Sequence, residues 1–121
     1  MRIAATAAVL ILCPAFADDA FAARTGKKQL WGAIAYNSRT GAYGYAADMK
    51  SKREAESQAH RQCGSDCDQV KSFRDACGAV AANAKHAFIE TGASRAIAES
   101  KATKKCGGDC AIAAWACTTD K

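Results

Sequence analysis

The chain has 121 residues, 17 Lys and Arg against 12 Asp and Glu for a formal net charge of +5, and only 7% aromatic residues. That length holds one small domain with a modest core rather than several. The basic residues are scattered, with small groups at Arg24, Lys27 and Lys28 and at Lys101, Lys104 and Lys105, whereas a nucleic-acid interface calls for a dense basic stripe with stacking aromatics, so that class is set aside.

The N-terminus reads MRIAATAAVLILCPAFADDAFA, with Arg2 as a short positive start, an apolar run over residues 3–12 and Pro14 breaking it. Charge, length and order are those of a secretory signal peptide. Cleavage is expected after Ala17, which places Asp18 and Asp19 beyond the cut, with Ala22 as the alternative site. The run is shorter than the roughly 20 residues a helical span requires, so no stable membrane span is expected after cleavage. Leu12 stands before Cys13 where lipidation needs a small residue, so Cys13 is not read as an anchor. Residues 18–29 are polar and unpatterned and read as a flexible leader, leaving residues 30–121 as a single domain in a secreted or periplasmic protein.

Two alternating stretches, WGAIAYN from Trp31 and AYGYAA from Ala42, flank SRTG, whose Gly41 supplies a positive φ; they predict a β-hairpin. Ser51 then opens a helix as N-cap, with Glu54 three residues on completing a capping box. Ala55, Ala59 and Cys63 draw a narrow stripe of small residues along it, and Gly64 falls where a left-handed C′ glycine ends a helix. A third strand is expected near Gln69 to Asp75. The whole pattern then recurs. CGAVAAN from Cys77 matches WGAIAYN, and HAFIE follows a short turn at Ala84-Lys85. SRAIAESKATKKCGGDC from Ser94 lies over SKREAESQAHRQCGSDC without a gap, ending on Gly107, and a last strand is expected near Ala111 to Cys117. In the second helix Ile97 occupies the Glu54 place, so its box is incomplete. Two units, about 31–76 and 77–118, each ββαβ, predict an α+β fold: a mostly antiparallel sheet of about six strands with two helices.

This combination resembles the bacterial family called domain of unknown function 4189, over about residues 30 to 118: WGAIAY before a glycine-containing turn and GAYGY, a Ser-Lys/Arg helix with AE, then CGxDC and CGAVA. The resemblance implies a small exported cysteine-containing domain and brings no catalytic residues with it. The chain departs from the family at Ile97, where Glu is more typical, and in the alanine-rich stretch 81–84.

Six cysteines remain beyond the signal peptide: Cys63, Cys67, Cys77, Cys106, Cys110 and Cys117. An even number in a small exported chain marks a disulfide framework. Two close pairs could instead form a tetrahedral zinc site, but each pair falls at the same place of a separate unit, and six cysteines need accounting for. Disulfide exchange chemistry uses a thiolate at a helix N-terminus, whereas Cys63 and Cys106 fall at C-termini, where the dipole opposes it. The expected pairing is Cys63–Cys67, Cys106–Cys110 and Cys77–Cys117, with Cys67–Cys77 the main alternative. In the chain-entropy model the short loops contribute about 2 kcal/mol each and the long one nearly 4. No metal or other cofactor is expected.

Nothing in the chain asks for catalysis: His60 falls on a polar helix face, His86 at a hairpin turn, and Asp66 and Asp109 serve as caps of a tight turn. Tyr43 and Tyr45 share one strand face, Phe88 aligns with Tyr45 in the second unit, and Trp115 lies on the last strand. These four rings are either core beneath the helices or an exposed partner site on the far side of the sheet. The leading functional expectation is a binding module of the envelope or extracellular space, inhibitor- or immunity-like, whose partner is an unknown protein or envelope component. A small secreted hydrolase or effector and a structural stress-resistance factor are the alternatives.

Overall fold

The computed structural model describes residues 30–119; the expected signal peptide, its expected cleavage sites and the expected leader 18–29 lie outside the described residues, as do residues 120 and 121. The order is β1 (Trp31–Tyr36), β2 (Tyr43–Met49), α1 (Lys52–Cys63), β3 (Gln69–Arg74), then β4 (Cys77–Ala82), β5 (Ala87–Gly92), α2 (Arg95–Cys106) and β6 (Ala111–Cys117). Each unit is ββαβ, and every strand pairing is antiparallel.

The strands divide into two three-stranded sheets, β2-β1-β3 and β5-β4-β6, where the sequence suggested one sheet of about six. The reason lies in β1 and β4. Every residue of β1 after Trp31 is buried, and so is every residue of β4 before Ala82, so both faces of each central strand need cover. One face is alanine: Ala33, Ala35 and Ala46 pack against Ala55, Ala59 and Cys63 of α1, and Ala79 packs with Ala98 of α2. The opposite face carries the larger residues. Ile34, Tyr36 and Phe73 of the first sheet join Val80, Ile89, Ala114 and Ala116 of the second in one cluster. The sheets therefore stack on each other, giving four layers: helix, sheet, sheet, helix. Phe73 is the centre of the middle layer. A Cβ on Gly32 would meet its ring at 2.3 Å and one on Gly78 at 2.8 Å, so both sheets leave out a side chain to admit it.

The helix starts follow their caps. Ser51 Oγ accepts from Glu54 N at 3.2 Å, and Ser94 Oγ accepts from Ile97 N at 3.3 Å, so the second cap forms without the carboxylate. The helix ends differ. Gly107 adopts the left-handed conformation expected (φ 88, ψ 12), but Gly64 lies at φ 108, ψ 163, an extended region open essentially to glycine alone. Both positions need glycine, for different turns.

The helices also rest on their sheets differently. Gly44 on β2 lets α1 come so close that a Cβ there would stand 2.2 Å from the Ala59 carbonyl and 2.5 Å from Cys63 N, in the last turns of the helix. In the second unit the close approach moves to the first turn, where a Cβ on Gly92 would meet Ile97 and Ala98. Register explains the shift: Gly44 pairs with Ala35, and the equivalent partner of Ala81 is Phe88. Bulkier Phe88 and Glu90 thus share the helix-side face of β5. This corrects the alignment of Phe88 with Tyr45. A bulge between Trp31 and Ala33, where Asp48 takes φ 60, shifts β2 by one residue, and Ile89 holds the place equivalent to Tyr45.

Cysteine sulfurs pair at three places, Cys63–Cys67, Cys106–Cys110 and Cys77–Cys117. The first two span the helix ends with Cα atoms 6.1 Å apart, and the third joins directly opposed residues of β4 and β6.

Candidate functional site

Stacking two duplicated sheets produces two equivalent seams, one between β3 and β5 and the other between β6 and β2. They have been finished differently. At the β3/β5 seam, Gln69 Nε2 donates to the Ala87 carbonyl at 3.0 Å and Lys71 Nζ to the Ile89 carbonyl at 3.3 Å, each bond crossing from one sheet to the other. Glu90 lies between Lys71 (3.5 Å) and Lys105 of α2 (3.0 Å). The hydrogen bond from Lys105 and the Lys71 charge hold the Glu90 carboxyl below its ordinary range. This seam is bridged by polar side chains, and the groove left on it, about 400 Å³, has a charged lining of Asp68, Lys71, Glu90 and Lys105 with Phe88 as its one ring.

At the β2/β6 seam the register puts Ala111 where the other has Gln69, and Ala114 where it has Lys71. Short side chains cannot bridge the sheets there, and the groove of about 460 Å³ is lined by Tyr43, Tyr45 and Ala47 on one side and by 113–117 on the other, with no charged side chain among them. Tyr43 and Tyr45 face the middle layer but stand at its rim, each 50% exposed. Trp115 reaches the groove from the helix side of β6 at 44% exposure. The Arg95 guanidinium lies over its ring at 3.8 Å and is itself paired with Glu99 at 2.6 Å, which fixes the indole while leaving it accessible. The strand edge at β2 is guarded, because Tyr45 N donates outward to Gln62 Oε1 at 3.2 Å.

Three of the four rings singled out in the sequence therefore meet at one groove. Phe88 does not; it lines the surface of the opposite seam with Lys71, Glu90 and Lys105. Tyr36 and Phe73, which the sequence reading passed over, fill the core instead, and Tyr36 is 6% exposed. The signal for them was the continuous apolar run of β1, which implies burial on both faces.

The remaining candidates are dispersed. His60 is half-buried on α1 and His86 is exposed in the turn before β5. At the first CGxDC turn the bond runs from Asn37 Nδ2 to the Asp66 carbonyl, and the carboxylate that grips the neighbouring loop is that of Asp68, which accepts from both Ser38 N and Ser38 Oγ. Those bonds hold Asp68 below its usual carboxylate range. Among the described residues no group of three or more His, Cys, Asp or Glu side chains is placed to hold a metal ion, and no helix is long and apolar enough to cross a membrane.

The profile of the family described as domain of unknown function (DUF4189) matches residues 31–117, which is all eight elements. The chain belongs to that family. The DUF4189 domain is similar in fold and sequence to Rv1813c of Mycobacterium tuberculosis, whose structure was determined by NMR: TM-score 0.63, 37% identity, covering 75% of this chain and 76% of that one. It is 49% identical over 55 residues to protein Rv1269c of M. tuberculosis strain H37Rv and to protein Mb1300c of Mycobacterium bovis. The matched segment is 45% of this chain and 43% of each relative, so the DUF4189 domain aligns with less than half the length of these proteins.

Proposed function

We propose that this DUF4189 domain is an exported binding module whose site is the β2/β6 groove, and that its partner is another exported protein, which it engages in the manner of an inhibitor or immunity protein. The observation carrying this reading is the contrast between the two seams. A duplicated fold offers the same groove twice; one copy is spanned by Gln69 and Lys71 and lined by charged side chains, and the other is unbridged and rimmed by Tyr43, Tyr45 and Trp115. Half-exposed tyrosine and tryptophan beside a small apolar floor are the side chains that dominate protein interfaces, since they bury large area at low entropic cost. Gln62 occupies the outward N–H of Tyr45, so the groove grips inserted side chains rather than adding a strand at that point. Export is supported by the N-terminal signal pattern and by the disulfide framework, which belongs to oxidising compartments.

The test uses the mature protein with a partner co-purified from periplasm or culture medium at fixed stoichiometry. Hydrogen exchange on the complex is expected to show protection confined to β2 and β6. Tyr43→Ala and Trp115→Ala should each weaken binding by at least about tenfold, the loss of an interface anchor, with melting temperature close to the parent. Protection elsewhere, or parental affinity in both variants, overturns the reading.

A further inference from the structure

The three disulfides are not equally embedded. Cys63 and Cys67 belong to the α1 cluster with Ala55 and Ala59, and Cys77 and Cys117 to the α2 cluster with Ala79 and Ala98. Cys106 and Cys110 belong to neither. Where Cys63 is 9% exposed, its counterpart Cys106 is only half-buried, and the buried residues of α2 stop at Ala102. The cause is the register difference already described: Gly44 draws the end of α1 onto β2, whereas Phe88 and Glu90 occupy the helix side of β5. The two turns are equally open, since a Cβ on Gly64, Gly107 or Gly108 would meet nothing within 4 Å, and Cys67 and Cys110 are both half-buried, so the difference in access lies at Cys106 Sγ. Exchange with an external thiol is limited by access to the sulfur.

We propose that Cys106–Cys110 is a reducible switch that controls the β6 wall of the groove, a statement that rests on the binding reading above for its consequence but not for its chemistry. The reductant is an external dithiol, either a small molecule or a thiol oxidoreductase. Its thiolate attacks Cys106 Sγ, the Cys106–Cys110 bond breaks, and Cys110 leaves as the thiolate. That direction follows from the dipole, which opposes a thiolate on Cys106 at the end of α2. The second thiol of the reductant then displaces Cys106 and closes its own disulfide. Two electrons and two protons pass to the protein, yielding two thiols. The released turn leads directly into Ala111 and Ile112, and β6 is already irregular opposite Val80 and Ala81, where its ladder shifts register beside Ala113. Loosening therefore reaches the strand that carries Trp115, while Cys77–Cys117 keeps its far end fastened to β4.

The test is graded reduction of the folded protein with dithiothreitol, quenching with N-ethylmaleimide, and peptide mapping. Cys106 and Cys110 should be labelled at least about tenfold faster than the other four, reflecting their access, and hydrogen exchange of the singly reduced protein should speed up over 107–113 while β1 and β4 stay protected. The Cys106→Ala/Cys110→Ala variant should melt cooperatively and reproduce that exchange pattern. Simultaneous labelling of all six cysteines, earlier labelling of Cys63 and Cys67, or unchanged exchange over 107–113 overturns the proposal. Selective labelling combined with parental partner affinity in Tyr43→Ala supports the switch and removes only the groove reading.

Discussion

Gly44→Ala is the sharpest test of how the first helix is seated. Ordinary van der Waals contact of a Cβ begins at 3.4 Å, and the added methyl would stand 2.2 Å from the Ala59 carbonyl, so roughly 1.2 Å must be found. No flexible side chain can supply it. The second-nearest atom is Cys63 N, and Cys63 is fastened to Cys67, so α1 cannot slide without dragging its own turn. Overpacking costs about 1–3 kcal/mol, and two backbone obstacles put this case near the upper figure. For a domain of this size each kcal/mol lowers the melting temperature by about 4–8 °C, so a fall of about 12–24 °C is expected. Circular dichroism melts of the oxidised protein would measure it. Gly107→Ala is the matched control: it has open space but a left-handed backbone, and should cost only about 1–2 kcal/mol. A Gly44→Ala melt within about 3 °C of the parent, or equal losses in the two variants, would refute the close seating of α1.

Two further predictions concern the middle layer and the bridged seam. Phe73→Ala should cost about 3–5 kcal/mol in chemical denaturation, because Gly32 and Gly78 leave nothing to collapse into the cavity; a loss under about 1 kcal/mol would mean that the sheets do not share this ring. Glu90 has a lowered carboxyl pKa in the folded protein, so its contribution is present above the ordinary value of 4.5 and is lost as pH falls through the lower folded value. Glu90→Gln should therefore narrow the stability gap to the parent as the pH drops below about 4.5, and a gap that stays constant down to pH 2 would exclude the Lys71–Glu90–Lys105 arrangement as its source.

Much of this architecture could be read from residue types whose meaning is local. Ser51 and Ser94 stand where a helix must begin, Gly64 and Gly107 where it must end, and the alanine stripe announces a helix pressed on a sheet; each depends on a few neighbours, and each element lies within a residue or two of where the pattern put it. The number of sheets depends on something non-local: which surface covers Ile34 and Val80 once the alanines have been used. β1 carried the information in its unbroken apolar run, but a strand buried on both faces is equally at home between two helices or between a helix and a sheet. Phe88 shows the other limit. Aligning by the repeated cysteines keeps the count of residues but not the register, and one bulge at Asp48 exchanges the faces of everything before it.

The same limit bears on the duplicated CGxDC phrase. Identical words place identical turns, yet Cys63 is buried by α1 lying on Gly44, and Cys106 is left open by Phe88 and Glu90. The difference is written more than 15 residues upstream of each motif, on the strand that the helix rests on. A residue's reactivity in a repeat protein is thus set by the unit's divergence rather than by its shared motif. Here the divergent positions converge. Phe88 and Glu90 stand on the helix side of β5 where β2 has Gly44 and Ala46, Ala111 and Ala114 stand where the other seam has Gln69 and Lys71 and leave the sheets unbridged, and both changes bear on β6, the strand that carries Trp115. The function of a duplicated scaffold is best sought where its halves have ceased to agree.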